Sequence, residues 1–322
     1  MLNHRLLEVK DLKKYYLVTG GLLSRHLGDV RAVDGVSFYI TEGETLGLVG
    51  ESGCGKSTLG RVILRLEEPT EGRIIYRGTD ITKLDKKGLR GLRKEIQIIF
   101  QDPQSSLDPR MTVEQSIGEA LLIHGMKDDR ERAKRVAEIL ELVGLEAQHA
   151  LRYPHEFSSG QRQRIGIGRS LAMNPKLIIA DEPVSALDVS IQAQILNLML
   201  DLQKEFGLAY LLIAHDLSVI RQVSHRVAVM YLGKIVELAE KDEIFPNALH
   251  PYTEALLAAI PDMRQKKARI LLPGSVPSPI NVPAGCRFHT RCHRVLPLCQ
   301  QEEPNLNDVG GGHLVACHLH SV

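Results

Sequence analysis

Residues 50–58 read Gly-Glu-Ser-Gly-Cys-Gly-Lys-Ser-Thr, and Gly50, Gly55, Lys56 and Ser57 fill the G-x-x-x-x-G-K-[ST] spacing of a phosphate-binding loop. Glycines at 50, 53 and 55 let the backbone curl so that successive N–H groups, those of Ser52, Cys54 and Thr58 among them, face one anion. The helix that follows adds its positive end. In that frame Lys56 reaches the β- and γ-phosphates, and the Ser57 hydroxyl is a ligand for Mg²⁺. The bland alternative is a glycine-rich turn that happens to carry Lys-Ser. Cys54 has two readings as well: a thiol whose pKa the nest and Lys56 lower, or a small residue filling a tight loop.

A pair of acids and a group of thiols come next. Residues 176–183 read Lys-Leu-Ile-Ile-Ala-Asp-Glu-Pro. The apolar run predicts a buried strand with Asp181 at its end, able to hold Mg²⁺ through water, and Glu182 beside it to orient or deprotonate an attacking water. Phosphoryl transfer needs chiefly such positioning and charge stabilisation. The alternative is an exposed acidic pair. Cys286, Cys292, Cys299 and Cys317 are separated by five, six and seventeen residues. The close C-x2–4-C pair of a typical zinc site is absent, and four thiolates suit a [4Fe–4S] cluster. Zinc stays open because His289, His293, His313 and His318 are near, as do unliganded thiols. Arg287, Arg291 and Arg294 are expected to offset a cluster's negative charge. A cluster so far in sequence from residues 50–58 suits a structural staple better than a redox centre.

The elements that must position these groups can be read in outline. The strand of 46–49 precedes the loop, and a helix over 59–66 follows it. Strands are expected at 6–12, at 30–40 with a turn at Asp34-Gly35, and at 74–76, forming a local antiparallel layer, with a glycine-containing loop over 20–28. A strand at 96–100 ends at Gln101. Helices then follow at 113–123, at 128–143 with Val136, Ile139, Leu140 and Val143 on one face and Gly144 as stop, and at 159–173. Strands at 177–180 and 210–214 flank a helix at 191–206, whose stripe is Ile191, Ile195, Leu198 and Leu202. A hairpin joins 227–231 to 235–238. Alternation of strands and helices implies a mainly parallel sheet. Beyond about 239, seven prolines from Pro246 to Pro283 leave one helix near 252–259 in a loop-rich tail.

At 322 residues the chain suits two domains, or one with an appendage, and 43% apolar residues can fill the core. A net charge of +1 argues against a nucleic-acid surface. No apolar run approaches the roughly 18–20 residues of a membrane span. The first fourteen residues lack a signal-peptide core, so a cytoplasmic chain that meets membranes only through partners is expected. Four of the five cysteines lie after residue 285, which in a reducing compartment favours metal over disulfide.

Further motifs carry a resemblance. Residues 157–161, Phe-Ser-Ser-Gly-Gln, are similar to the Leu-Ser-Gly-Gly-Gln signature of ABC transporter ATPases, and Arg162-Gln163-Arg164 continues it. Gln101 falls at the Q-loop position, Ser185-Ala186-Leu187-Asp188 matches the D-loop, and His215 matches the switch histidine. Tyr16 sits where the family stacks an aromatic on adenine. The tail, with His250-Pro251-Tyr252-Thr253 and Pro-Ser-Pro at 277–279, resembles the C-terminal extension of dipeptide and oligopeptide importer ATPases, most closely the F-type subunit.

The resemblance implies an α/β fold: a P-loop NTPase ABC core over 1–240, with an antiparallel β subdomain and an inserted helical subdomain at about 102–175, then a loop-rich metal-binding extension over 241–322. It implies an ATPase using ATP and Mg²⁺, with Gln101 as a further Mg²⁺ ligand and His215 donating to the γ-phosphate. Ser158, Gly160, Gln161 and Asp188 would serve ATP held by a second, related ATP-binding subunit, a heterodimer being expected. Two permease subunits, touched by residues 102–111 and the helical block, and an external peptide-binding protein would complete an importer, with this chain peripheral on the cytoplasmic face. Family members carry an iron–sulfur cluster at matching cysteines. Nickel or glutathione as cargo, a soluble non-transport ABC ATPase, and a non-hydrolysing regulator are the alternatives. Ser159 departs from the signature's glycine. It is harmless if the site needs only helical φ, which is the expectation because every other motif is intact.

Overall fold

The structure, a computed structural model, describes residues 5–20, 25–102, 106–260 and 270–320. It divides into two compact units, one of residues 1–41, 45–83 and 214–322, the other of 42–44 and 84–213.

The first unit opens on two long antiparallel strands, β1 (Arg5–Gly20) and β2 (Arg25–Thr41). Sequence alternation marks only the start of β1, because Leu6, Leu7, Val9 and Leu12 are buried whereas Tyr16 and Leu17 are exposed. Past Lys14, backbone pairing carries the strand on without an apolar face, so the expected loop over 20–28 is strand from Arg25. Residues 21–24 of that loop lie outside the described residues. The expected turn at Asp34-Gly35 is a bulge instead. The register steps from Leu12↔Val36 to Lys13↔Asp34, leaving Gly35 as the extra residue. β3 (Thr45–Val49) is buried throughout and feeds α1 (Lys56–Ile63). β4 (Glu71–Tyr76) pairs antiparallel with β1, and β5 (Thr79–Asp80) with β4, which gives the anticipated antiparallel layer.

The second unit contains a short helix that sequence did not announce, α2 (Lys86–Leu92), capped by Asp85 and with no buried residue to give it periodicity. β6 (Ile96–Ile99) follows, then a helical block of α3 (Val113–Ile123), α4 (Asp129–Leu142) and α5 (Ser159–Leu171). The Thr112 capping box starts α3, and Asp128 accepts two N–H groups at the start of α4. Val136, Ile139, Leu140 and Val143 are all fully buried, as their spacing predicts. β7 (Leu177–Asp181) pairs in parallel with β6 and with β8 (Ala209–Ala214). Between them runs α6 (Val189–Phe206), whose buried face is Ile195, Leu196, Met199 and Leu202. The expected stripe therefore turns by about one residue, because Ile191 and Leu198 are only half-buried.

The chain returns to the first unit with α7 (Leu217–Val223), which sequence also missed, and the hairpin β9 (Arg226–Tyr231) and β10 (Lys234–Glu240). β9 pairs in parallel with β3. In the tail, α8 (Pro251–Ala258) is capped by His250, and two short strands, β11 (Asn307–Asp308) and β12 (Leu314–Val315), extend antiparallel pairing from β10. Among the described residues, no helix is long and apolar enough to cross a membrane.

Candidate active site

The phosphate loop sits between buried β3 and α1, as its sequence requires. A Cβ at Gly50 would lie 2.1 Å from the Met230 carbonyl oxygen, and one at Gly55, where φ is 108°, 1.9 Å from that of Ala32. Backbone of β9 and β2 thus excludes any side chain at both positions. Gly55 is also the N-cap of α1, with no side-chain cap and no acid in the first turn, so no capping side chain claims the helix's positive end. Lys56 is 5% exposed, and its ammonium donates to the carbonyls of Gly50 at 2.7 Å and Glu51 at 3.1 Å. Cys54 packs against Gly50, and burial pushes its thiol pKa up despite nearby Lys56, which agrees with its reading as a filler. Ser52 and Gly53 are exposed on the loop, whereas Ser57 and Thr58 in the first turn of α1 are half-buried.

Tyr16, on β1, lies by that first turn. Its hydroxyl is hydrogen-bonded to the Glu67 carboxylate, and Thr58 engages the same hydroxyl. Burial and the Glu67 partner push its pKa up. The residue is 37% exposed, with the Lys14 ammonium 4.9 Å from its ring centroid. His215 follows the last residue of β8 and is exposed; its neighbour Asp216 caps α7 by accepting from the Ser218 N–H at 2.7 Å.

In the second unit, Asp181 is the buried last residue of β7. Glu182 follows with φ of 47°, an uncommon conformation for a residue with a Cβ, and its N–H donates to the Ile213 carbonyl at 2.9 Å. The Gln101 amide donates to the Glu182 carboxylate at 2.9 Å, bringing together two residues 81 positions apart. The Glu182 carbonyl accepts from the Ser185 hydroxyl at 3.2 Å. Gln192, which sequence reading passed over, donates to the carbonyls of Val184 at 2.9 Å and Leu187 at 3.0 Å, fixing the loop that ends at exposed Asp188. Its only sequence signal was its place one turn into α6.

Ser158 is the N-cap of α5. It accepts from the Gln161 N–H at 3.3 Å, while the Gln161 side chain accepts from the Ser158 N–H at 3.0 Å. Ser159 is the first helical residue and is absent from the positive-φ positions, so it sits where a side chain costs little. A Cβ at Gly160 would approach the Ile191 side chain to 2.7 Å.

The tail belongs to the first unit and touches the phosphate loop. Arg291 makes a bidentate pair with Glu51, at 2.6 and 3.1 Å, and the Glu51 N–H donates to the Tyr252 hydroxyl at 2.8 Å. The three arginines among the cysteines are each committed to a carboxylate: Arg287 to Asp34, Arg291 to Glu51 and Arg294 to Glu254. Each arginine expected to offset a cluster's charge therefore also has a carboxylate partner. Tyr252, Tyr231 and Phe288 form a buried aromatic group with centroids 4.7–5.3 Å apart. Burial pushes the Cys286 thiol to about 11, and the charges of the other three thiols act in the same direction. Among the described residues, no three or more His, Cys, Asp or Glu converge as for a metal ion.

Comparison with known proteins assigns this arrangement. Residues 33–185 match the ABC transporter family model, and 236–299 match the model of the oligopeptide/dipeptide transporter C-terminal region. The chain is 56% identical to the oligopeptide transport ATP-binding protein AppF of Bacillus subtilis over 98% of both chains. It is 50% identical to the dipeptide transport ATP-binding protein DppF of Escherichia coli, over 98% of this chain and 95% of that one. An ATP-binding cassette solved as a dimer in a post-hydrolysis state with ADP and Pi superposes with a TM-score of 0.65 at 31% identity, covering 73% of this chain and 98% of that one. The chain therefore belongs to the ATP-binding subunits of the oligopeptide/dipeptide ABC importers, with the P-loop ABC ATPase fold, and its function is to hydrolyse ATP to energise peptide import.

Proposed function

We propose that Glu182 orients and deprotonates the water that attacks the γ-phosphate, and that Gln101 holds it in place. The observation that carries this is the hydrogen bond from the Gln101 amide to the Glu182 carboxylate. Lys56 exchanges its loop carbonyls for β- and γ-phosphate oxygens, and His215 donates to the γ-phosphate. The Ser57 hydroxyl, the Gln101 amide oxygen and, through water, Asp181 are hard oxygen donors suited to Mg²⁺. Mg²⁺ held by such donors would supply charge neutralisation at the phosphates. The ring of part-exposed Tyr16 stacks on adenine, while its hydroxyl stays tied to Glu67. Ser158, Gly160, Gln161 and Asp188 complete the site of a second, related ATPase subunit. With Glu182→Gln, phosphate release from the assembled complex falls by about 10²–10⁴-fold while ATP binding persists; unchanged release would overturn the assignment.

The cassette spans 1–240, with residues 102–175 as its helical subdomain, and the extension spans 241–322. Residues 103–105 of the segment assigned to permease contact lie outside the described residues. The chain acts at the cytoplasmic face of the membrane, with two permease subunits and an external peptide-binding protein. The cargo is a peptide, with glutathione or nickel as outcomes that substrate-binding assays on the solute-binding protein would reveal.

The four tail cysteines are proposed as ligands of a [4Fe–4S] cluster. The Cys286 N–H donated to the Cys299 carbonyl at 2.8 Å brings two of the four together and supports this, as does the Arg294 N–H donated to the Cys292 sulfur at 3.3 Å. The visible spectrum of the purified protein with iron and zinc analysis decides it: about four irons per chain is expected, and zinc alone overturns it.

A further inference from the structure

The phosphate-loop pattern leaves position 51 unspecified, yet three groups of Glu51 are committed. Its carbonyl accepts from the Lys56 ammonium at 3.1 Å, its N–H donates to the Tyr252 hydroxyl at 2.8 Å, and its carboxylate is gripped at both oxygens by Arg291. Two of these three partners come from the C-terminal extension. Arg291 is 6% exposed and Tyr252 is fully buried, so both contacts are made away from solvent. Phe288, three residues before Arg291, lies 5.3 Å from the Tyr252 ring, and Tyr231 of β9 lies within 5.2 Å of both rings. One aromatic group thus carries both contacts.

A carboxylate inside a loop built to hold phosphates opposes the ligand's charge. A bidentate guanidinium neutralises it and also fixes its plane, which a single point charge does not. We infer that Arg291 and Tyr252 are positioning residues of the nucleotide site: the extension acts in cis to neutralise Glu51 and to set the half of the loop whose carbonyl receives Lys56. This rests on the reading that residues 50–58 bind the nucleotide's phosphates. It does not depend on what the four cysteines hold.

The experiment measures equilibrium binding of Mg-ATP and Mg-ADP to the full chain. Arg291→Met exposes the Glu51 charge and is expected to weaken ATP binding about tenfold, and ADP less because it carries less charge. Arg291→Lys keeps the charge without the fork and falls between. The double variant Glu51→Gln with Arg291→Met removes the offending carboxylate and is expected to recover ATP affinity to within about twofold of the native chain. A merely structural role of Arg291 predicts no such rescue. Affinity unchanged in Arg291→Met, or a loss that Glu51→Gln fails to restore, overturns the inference. If Arg291→Met does not fold, the same comparison is made on Arg291→Lys, with its rescue by Glu51→Gln as the deciding result. Lys56→Ala serves as the separate arm. If it binds ATP normally, the phosphate-loop reading itself fails; if it loses ATP while Arg291 variants do not, only the inference fails.

Discussion

The starts of α1 and α5 both carry glycine, at the N-cap of one and in the first turn of the other, and their caps are opposite. At α1 the N-cap is Gly55, which brings no side-chain acceptor, and a buried lysine lies inside the loop. At α5 the N-cap is Ser158, and a reciprocal box with Gln161 satisfies the N–H groups of both residues. The first turn therefore meets a ligand with its positive charge in place and without a capping acceptor to displace. The second is already capped, and the cap uses only an acceptor lone pair of Ser158, whose O–H can still donate. If both bind phosphate as proposed, the first offers a lysine already placed within one chain, and the second offers a hydroxyl donor on a capped helix start.

That contrast can be broken at three points. The largest effect belongs to Lys56→Ala. It removes a charge-assisted contact worth about 1.5–3 kcal/mol, so ATP affinity of the isolated chain should fall roughly 10- to 100-fold; a calorimetric titration checks it. Ser158→Ala comes second. It should leave ATP affinity of the isolated chain unchanged, lower stability by about 1 kcal/mol through the lost cap, and reduce hydrolysis by the assembled complex about tenfold. Thermal unfolding and phosphate release measure the two parts, and reduced ATP binding by the isolated chain would erase the contrast. Ser159→Gly is the smallest. Because Ser159 has an ordinary helical setting, hydrolysis should change by less than about twofold. A tenfold rise, about 1.4 kcal/mol in barrier, would show that the serine impairs the signature.

The site was more legible in the sequence than its supports were. Gly50–Lys56 and Asp181–Glu182 announce themselves because phosphate and metal chemistry restricts residue type and spacing at once. The helices α3 and α4 were legible because their buried faces repeat at helical period and their caps are polar. The outer half of the β1–β2 hairpin was not, since its strand is held by backbone pairing while Tyr16 and Leu17 face outward. Short α2 and α7 span about two turns each, too few for a period to emerge. Glu51, Tyr252 and Arg291, proposed above to support the site, escaped for a different reason. Each acts through a partner chosen by the tertiary fold, 240 positions away in the case of Arg291 and Glu51, and a lone residue carries no mark of that.

Glu237 gives the extension a consequence for experimental design. This carboxylate on β10 has no exposed surface, and it accepts from the N–H groups of Leu249 at 2.8 Å and His250 at 3.0 Å and contacts the His313 ring at 2.7 Å. A chain truncated after residue 240 would keep the acid and lose all three partners, along with the β12 edge pairing. A misfolded truncation would then mimic the loss of a regulatory segment. Pairing the deletion with Glu237→Leu gives the shortened cassette an apolar edge in place of an orphaned charge, and separates what the tail does for nucleotide from what it does for the strand beneath it.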